Sequence, residues 1–369
     1  MHRWLRASIL WLAPSLACAA PTPAQLVERL HVPAGFKVTL FADHVPGARA
    51  MAWGEKGTLF VGSMDAGRVY ALRDENHDGR ADGVRVVASG LRMPVGVAFR
   101  GGALYVSAVD RILRLDAIES HLDAPPKPVA VVNDLPSDGA HGWRYLAFGP
   151  DGRLYVPVGM PCNVCERPGY GKLIAMQPDG SAREDVALGI RNSVGFAWNP
   201  KSGHLWFTDN GRDMLGDDMP DDELNVVTAA KQHFGFPYCH AGDVPDPQFG
   251  KGRSCKDYVA PAAKLGAHVA ALGIAFYGGA MFPAAYRGNA FIAEHGSWNR
   301  SSKSGYRVVR VEVDGDRVVR VTPFLTGFLD GQAALGRPAA VTVAPDGALL
   351  VSDDAQGAIY RITWNEGTR

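Results

Sequence analysis

Cationic, amide and glycine residues lie at the ends of two successive strand-like runs in the middle of the chain. Arg191 and Asn192 precede the first run, the segment Asp209–Arg212 follows the second, and residues 217–223 are mostly acidic. Binding residues concentrate on loops that a rigid β scaffold positions, so this pattern predicts a ligand site at the mouth of such a scaffold. A polar loop with solvated charges is the alternative interpretation.

A histidine occupies a similar place earlier in the chain. His141 lies in the Gly-rich segment Asp138–Arg144, directly before another strand-like run. A histidine between small residues is accessible to a ligand and can act as a base near neutral pH. On this basis we expect activity to rise through the ordinary titration range of histidine. A turn histidine bonded to the backbone is the alternative.

Arginine and tryptophan recur in two further loops. The segment Glu294–Lys303 contains His295, Trp298 and Arg300, and Arg337 precedes the last strand-like run. Guanidinium groups pair with carboxylates, and an indole stacks on a flat ring system. If these loops converge, they suit a planar ligand with several negative charges. Salt bridges to neighbouring parts of the scaffold would be the structural alternative.

The segment Asp74–Asp82 has the spacing of a calcium loop. Asp74, Asn76 and Asp78 occupy positions one, three and five, a glycine follows, and Asp82 adds a carboxylate. The glutamate that an EF-hand has at position twelve is replaced by Arg85. Either a structural calcium site or an unoccupied polar turn fits this pattern.

The N-terminus has the features of an export signal. Two arginines precede the short apolar run 7–17, and Ala17–Ala19 fits a small-residue cleavage site. We therefore expect a signal peptide over 1–19, a single domain over 20–369 and a periplasmic or secreted protein. Lipid attachment at Cys18 ranks second. The run is too short to span a bilayer, so we expect no transmembrane segment.

Removal of the signal leaves four cysteines, Cys162, Cys165, Cys239 and Cys255. An even number in an exported protein predicts disulfides, and we pair Cys162 with Cys165 and Cys239 with Cys255. Haem attachment at the first pair would require a histidine where Glu166 stands. A zinc site would require the two pairs to converge.

A repeat predicts the scaffold that positions these groups. Each copy consists of a small residue and two apolar residues, then a turn, then a Leu-aromatic-Val segment. Six copies occur about 45–60 residues apart, with one longer gap, as expected for propeller blades. The copies span 51–61, 96–106, 145–156, 195–208, 273–292 and 340–351. We predict an all-β, six-bladed β-propeller with an insertion after the fourth blade, with residues 36–41 completing the last blade. A β-sandwich is the alternative. The net charge is zero and no basic stripe occurs, which argues against nucleic acid as a partner.

With these motifs the sequence resembles the soluble PQQ-dependent sugar dehydrogenases, most closely their sorbosone dehydrogenase branch. The resemblance covers nearly the whole mature chain. It is most specific in Gly189–Asn192, in Asp222–Asn225 with Phe234–Pro237, and in Gly296–Arg300. It implies a six-bladed propeller that binds pyrroloquinoline quinone (PQQ) and calcium at its axis.

The resemblance also implies roles for residues of this chain. His141 matches the catalytic base that removes the substrate hydroxyl proton, and Arg191 matches the arginine beside the quinone oxygens. Asn192 matches a cofactor-contacting asparagine. Gly211 and Arg212 fall where two backbone carbonyls hold the cofactor's calcium, although the second position is commonly proline.

Arg337 matches an arginine that binds cofactor carboxylates. The cofactor lysine of the family has no clear match, and Arg300 or Lys303 would substitute for it. The implied reaction is oxidation of a sugar, or a sorbosone-like alcohol or aldehyde, by hydride transfer to the quinone. Electrons would then pass to a separate cytochrome or quinone acceptor, because the chain has no haem motif.

Two alternatives from other classes stay open. A calcium-dependent propeller hydrolase of the lactonase type would need side-chain ligands, for which Asp209, Asn210 and Asp353 are candidates. A non-enzymatic propeller that binds a peptide or glycan would show no turnover.

Overall fold

The fold consists of six antiparallel β-sheets arranged as the blades of a propeller, which confirms the predicted fold class. The computed structural model describes residues 21–365. The predicted signal peptide therefore lies outside the described residues. The strands are, in blade 1, Ala48–Trp53, Leu59–Ser63, Val69–Arg73 and Gly83–Ala88; in blade 2, Val97–Arg100, Ala103–Ala108, Arg111–Leu115 and Val129–Val132; in blade 3, Ala147–Phe148, Leu154–Val158, Lys172–Met176 and Glu184–Leu188; in blade 4, Phe196–Trp198, Leu205–Asp209, Asp221–Val227 and Ala263–Ala267; in blade 5, Ala271–Phe276, Ala290–Glu294, Arg307–Asp314 and Arg317–Leu325; and in blade 6, Pro338–Val343, Leu349–Asp353, Ala358–Trp364 and Phe36–Ala42.

The two ends of the described chain meet in blade 6. The N-terminal strand Phe36–Ala42 pairs antiparallel with Ala358–Trp364, so the first segment supplies the outermost strand of the last blade. This confirms the strand predicted at 36–41. The pairing closes the ring of blades and leaves no open sheet edge between the first and last repeats.

Neighbouring blades approach closely through the first strand of each repeat and the residues before it. The second strands, such as Leu154–Val158 and Leu349–Asp353, are buried along their whole length. A Cβ on Gly96 would lie 2.0 Å from the carbonyl oxygen of Arg144, and one on Gly195 would lie 2.3 Å from that of Leu272. The glycine that opens these repeats is therefore required for packing between blades.

The predicted insertion is present, but its position needs correction. It lies inside blade 4, because residues 228–262 connect the third strand to the fourth strand, Ala263–Ala267. The fourth strand carries no copy of the repeat, so the sequence pattern placed the end of the blade too early. Within the insertion, Gln232–His233 pairs parallel with the outer strand of blade 3.

Both predicted disulfides, Cys162–Cys165 and Cys239–Cys255, are formed. The zinc alternative for these cysteines was therefore wrong. The second disulfide closes the insertion.

The minor elements connect the blades or extend them. They are the α-helix Pro23–Val27, the 3₁₀ helices Ile118–Ser120, Cys255–Asp257 and Ala284–Tyr286, and the short strand pairs Cys239–His240 with Val244–Pro245 and Leu329–Asp330 with Ala333–Ala334. None of the helices in residues 21–365 has the length and apolar character needed to cross a membrane.

Candidate active site

Loops from several blades surround a cavity of about 250 Å³ that opens to solvent. Concave sites with a few convergent polar groups are typical of small-molecule binding. Eight residues singled out individually in the sequence line this cavity. They are His141, Arg191, Asn192, Asn210, Gly211, His295, Trp298 and Arg337.

The loop around His141 holds its imidazole in one tautomer. Nδ1 of His141 lies 2.6 Å from the carbonyl oxygen of Met160, which can only accept, so Nδ1 carries the proton and Nε2 has the free lone pair. The residue has a positive φ of 49°, a conformation that must be held by its surroundings. The buried guanidinium of Arg144 provides such support, because Nη1 donates to the His141 carbonyl at 3.0 Å.

Burial, and after it the charge of Arg191, together lower the pKa of His141 from 6.5 to about 3. The imidazole is therefore neutral, and able to accept a proton, over the whole neutral range. The buried ring therefore predicts activity that is level across the neutral range, which differs from the expectation that activity rises through the ordinary titration range of histidine. Sequence alone could not indicate how deeply the turn is buried.

The guanidinium of Arg191 is fixed by four hydrogen bonds. Nε donates to the carbonyl of Asn163 at 2.8 Å, and Nη2 donates to Oδ1 of Asn163 at 3.0 Å and to Oδ2 of Asp213 at 2.8 Å. Nη1 donates to the carbonyl of Asn210 at 3.3 Å. Nη1 carries two N–H groups, so one donor remains for a ligand in the cavity.

Main-chain bonds to buried carboxylates attach the two predicted cavity arginines to their blades. The amides of Arg191 and Asn192 donate to the two oxygens of Asp209, the last residue of the second strand in blade 4. In blade 6 the amide of Arg337 donates to Asp353, at the equivalent place. The main chain of each loop is therefore anchored by bonds that do not involve the arginine side chain.

A second cluster in the cavity includes a residue that sequence reasoning missed. Arg49, in the first strand of blade 1, contacts Asp354 at 2.6 Å, and Nε2 of His295 lies 2.9 Å from the same carboxylate. Arg337 donates to the carbonyls of His295 and Gly296. Nε of Arg49 is buried and has no hydrogen-bond partner among the described residues. A charge in an apolar inner strand needs a partner, and that signal could have identified Arg49.

His295 is less suited to proton transfer than His141. Because its Nε2 faces a carboxylate, this nitrogen is the donor in the neutral ring. Burial lowers the pKa of His295 to about 4, although Asp354 opposes this change.

Gly211 and Arg212 lie beside the cavity in different ways. Gly211 lines it, and its amide donates to Oδ1 of the buried Asp222 at 2.8 Å. The side chain of Arg212 points elsewhere and pairs with Asp246 of the insertion at 2.5 Å. Within residues 21–365, neither carbonyl accepts a hydrogen bond, so both oxygens have lone pairs for a cation.

Two predicted cofactor contacts are not brought to the cavity. Arg300 donates instead to the carbonyl of Asp217 at 2.6 Å and to Oδ1 of Asp218 at 3.0 Å. The acidic segment 217–223 was predicted to be part of the site: Asp222 does line the cavity, whereas Asp217 and Asp218 hold the loop of Arg300. Nζ of Lys303 donates to the carbonyl of Gln332 at 2.8 Å, so it does not replace the missing lysine. Trp298 is 69% exposed at the rim.

The predicted calcium loop closes on itself. Asp74 accepts the amides of Asp78 and Gly79, and Asp82 accepts the amide of Glu75. Nδ2 of Asn76 donates to Asp78 and Asp82. No group of three or more His, Cys, Asp or Glu side chains placed to hold a metal ion occurs in the described part of the chain. Calcium at Asp74–Asp82 stays a prediction.

Fold and cavity together define a six-bladed propeller with an arginine- and histidine-lined site where the loops of its blades meet. Residues 177–365 match the TrAA12-like family. A protein of Borreliella burgdorferi described as uncharacterized is 34% identical over 374 residues, which cover 97% of this chain and 96% of the relative. The chain belongs to the TrAA12-like family.

Solved structures share the fold. The calcium structure of a Trichoderma reesei enzyme of carbohydrate-active family AA12 has a TM-score of 0.81 and 22% identity, and covers 91% of this chain and 97% of its own. The holo form of the pyranose dehydrogenase PQQ domain from Coprinopsis cinerea has a TM-score of 0.77 and 20% identity, with 94% and 99% covered. The PQQ-bound aldose sugar dehydrogenase of Streptomyces coelicolor has a TM-score of 0.64 and 19% identity, with 91% and 100% covered.

Proposed function

We propose that this chain is a PQQ- and calcium-dependent dehydrogenase that oxidises a sugar or a sorbosone-like alcohol or aldehyde. The observation that carries the proposal is the convergence of Arg49, Arg191 and Arg337 on one cavity with the neutral base His141. The names of two fold neighbours, a pyranose dehydrogenase PQQ domain and a PQQ-bound aldose sugar dehydrogenase, support the choice of cofactor and substrate class.

The residues present fit PQQ, which is a planar quinone with three carboxylates. Nε of Arg49 has no partner in the described structure although it is buried, and a ligand carboxylate would satisfy it. Arg337 would provide a second cation at the same side through the N–H groups of Nη1, which have no acceptor among residues 21–365. Trp143 and Trp298 add aromatic surface to the lining.

The residues also fit a calcium ion beside the cofactor. The carbonyl oxygens of Gly211 and Arg212 are ligands of the type that calcium prefers. Related sequences commonly have proline where this chain has Arg212. Arginine would be tolerated there, because the residue would contribute its carbonyl and not its side chain. The ion pair with Asp246 holds that side chain away from the cavity.

Bound PQQ would supply the two-electron acceptor that the protein itself lacks. His141 would take the substrate hydroxyl proton at Nε2, because Nδ1 is committed to Met160. The remaining N–H of Arg191 would stabilise negative charge that develops during the reaction. Asn192 would assist through its amide, which Trp143 orients by donating to Oδ1 at 3.0 Å.

A separate cytochrome or quinone would accept the electrons. The two disulfides favour an exported protein, because disulfides persist in oxidising compartments. The lactonase alternative is less well supported, because Asn210 lines the cavity but its other two candidate ligands, Asp209 and Asp353, do not.

Reconstitution tests the proposal. Apoprotein given PQQ and calcium together should reduce an artificial acceptor with aldoses, and neither addition alone should suffice. Arg337→Ala should raise the PQQ concentration for half-reconstitution by about 10- to 100-fold, the value of a charged hydrogen bond. Arg300→Ala is the matched control, because its side chain faces Asp217 and Asp218. Absence of PQQ uptake by the wild-type protein would reject the dehydrogenase in favour of a hydrolase or a binding protein.

A further inference from the structure

The loop closed by the Cys162–Cys165 disulfide lies against the guanidinium of Arg191. Asn163, inside this four-residue ring, accepts from Nε of Arg191 with its carbonyl and from Nη2 with its side-chain oxygen. The same side chain bonds both main-chain groups of Asp213, since Oδ1 accepts the amide at 2.7 Å and Nδ2 donates to the carbonyl at 3.0 Å. Asn163 thus fixes Arg191 directly and also fixes the carboxylate that pairs with it.

The disulfide supplies a restraint that the rest of the loop lacks. Residues 159–171 connect the second and third strands of blade 3 without regular secondary structure. Among the described residues, all hydrogen bonds of segment 161–165 are those of Asn163 to Arg191 and Asp213. Without the covalent link, the position of Asn163 would depend on those bonds alone.

We propose that Asn163, held by the Cys162–Cys165 disulfide, is a positioning residue for Arg191, so that reduction of this disulfide lowers turnover while the propeller stays folded. The statement about turnover rests on the proposed function, whereas the placement of Arg191 does not.

The Cys162–Cys165 disulfide is accessible to reduction from solvent. Both cysteines are partly exposed, so a dithiol such as dithiothreitol can reach the bond. Its two thiols transfer two electrons and two protons to the sulfurs, giving two cysteine thiols and a cyclic reductant disulfide. A link across so short a loop removes less entropy from the unfolded chain than a long-range link does, so the propeller should stay folded when it is lost.

The placement of Arg191 can be measured in the apoprotein without any cofactor. With ¹⁵Nε-labelled arginine, the Nε–H signal of Arg191, assigned by its loss in Arg191→Lys, should exchange slowly with water. In the double variant Cys162→Ser/Cys165→Ser we expect exchange at least about tenfold faster, because a released loop opens more often. Unchanged exchange would overturn the proposal.

Turnover of the reconstituted enzyme provides the second measurement. Asn163→Ala should lower kcat by roughly 10- to 100-fold with little change in KM, the usual effect of a small misplacement of a catalytic group. Asn163→Asp keeps the oxygen acceptor for Arg191 but loses the N–H that donates to the Asp213 carbonyl, so it should recover only part of that loss. Val164→Ala is the matched control, since Val164 lies in the same ring and makes no hydrogen bond in the described structure. Thermal unfolding should be nearly unchanged in all of these variants.

The outcomes separate the two claims. Wild-type kcat in Asn163→Ala, in an active preparation, would overturn the positioning role. An equal loss in Val164→Ala would also overturn it, because the effect would then belong to the loop as a whole. If the wild-type protein shows no turnover, the proposed function fails, and the exchange rate of Arg191 alone decides whether Asn163 places it.

Discussion

Replacement of His141 gives the sharpest test of the proposed chemistry. His141→Ala should still take up PQQ, because the cations that would bind its carboxylates, Arg49 and Arg337, lie elsewhere in the cavity. Turnover should fall by roughly 10²- to 10⁴-fold, the usual contribution of a positioned base. His204→Ala is a matched control, because His204 pairs with Asp316 outside the cavity.

The pH dependence follows from the lowered pKa of His141. Only the neutral ring accepts a proton, so activity is present above the pKa and is lost as the pH falls through it. With a pKa of about 3 in the free site, kcat should be level from pH 5.5 to 8 instead of declining below 6.5. The carboxylates of bound PQQ would raise the pKa of His141 somewhat. Burial, which is the largest cause of the lowered pKa, would persist.

Arg191 supplies an internal check on this reasoning. Its charge is the second cause of the lowered pKa, so Arg191→Gln should move the acid limb of the profile towards higher pH as well as lower kcat. Steady-state rates with an artificial acceptor, corrected for protein stability at each pH, measure both effects. A wild-type acid limb centred at 6.5, or full activity of His141→Ala, would refute the assignment of this base.

Three further predictions concern other parts of the molecule. Arg49→Ala should raise the PQQ concentration for reconstitution by about 10- to 100-fold in dialysis experiments, since one charged hydrogen bond is lost; an unchanged requirement would make Arg49 structural. If the loop of Asp78 holds calcium, chelation should lower the melting temperature, and Asp78→Ala should remove both the ion and this response; identical melting and calcium content would show only a polar turn. Burial raises the pKa of Glu294 to about 7 and that of Glu223 to about 8, so the folded state retains protons that the unfolded state has lost. Histidines whose pKa is lowered in the folded state, such as His141 and His295, oppose this effect until the unfolded chain has lost its histidine protons, about one pH unit above 6.5. Calcium-free protein should therefore melt at a lower temperature as the pH rises from about 7.5 to 8.5; a rising melting temperature would contradict this.

The repeat made most of the fold predictable. Inner strands have a strict apolar pattern because both faces are buried, as in Leu349–Asp353. Outer strands such as Gly83–Ala88 and Glu184–Leu188 are half exposed, so their composition hardly differs from that of loops. This is why the end of blade 4, and with it the insertion, was misplaced.

The sequence predicted those site residues whose side chains have one main chemical role, as arginine has in binding anions. Arg191 and Arg337 stand out beside their glycines, and both line the cavity. Asn163 and Asp354 carry no local signal, because their roles arise from contacts with residues 28 and 59 positions away. Arg300 has the same composition around it as the cavity arginines, and only the folded loop shows that it faces Asp218.

The attachment of Arg191 and Arg337 through their own amides has an evolutionary consequence. Asp209 and Asp353 hold the main chain of each loop, and any residue except proline offers the same N–H. The side chain at either position can therefore be exchanged while the anchoring bond is kept. In blades 4 and 6 a point substitution at residue 191 or 337 can thus change the ligand that the loop contacts, while the loop stays attached to its strand.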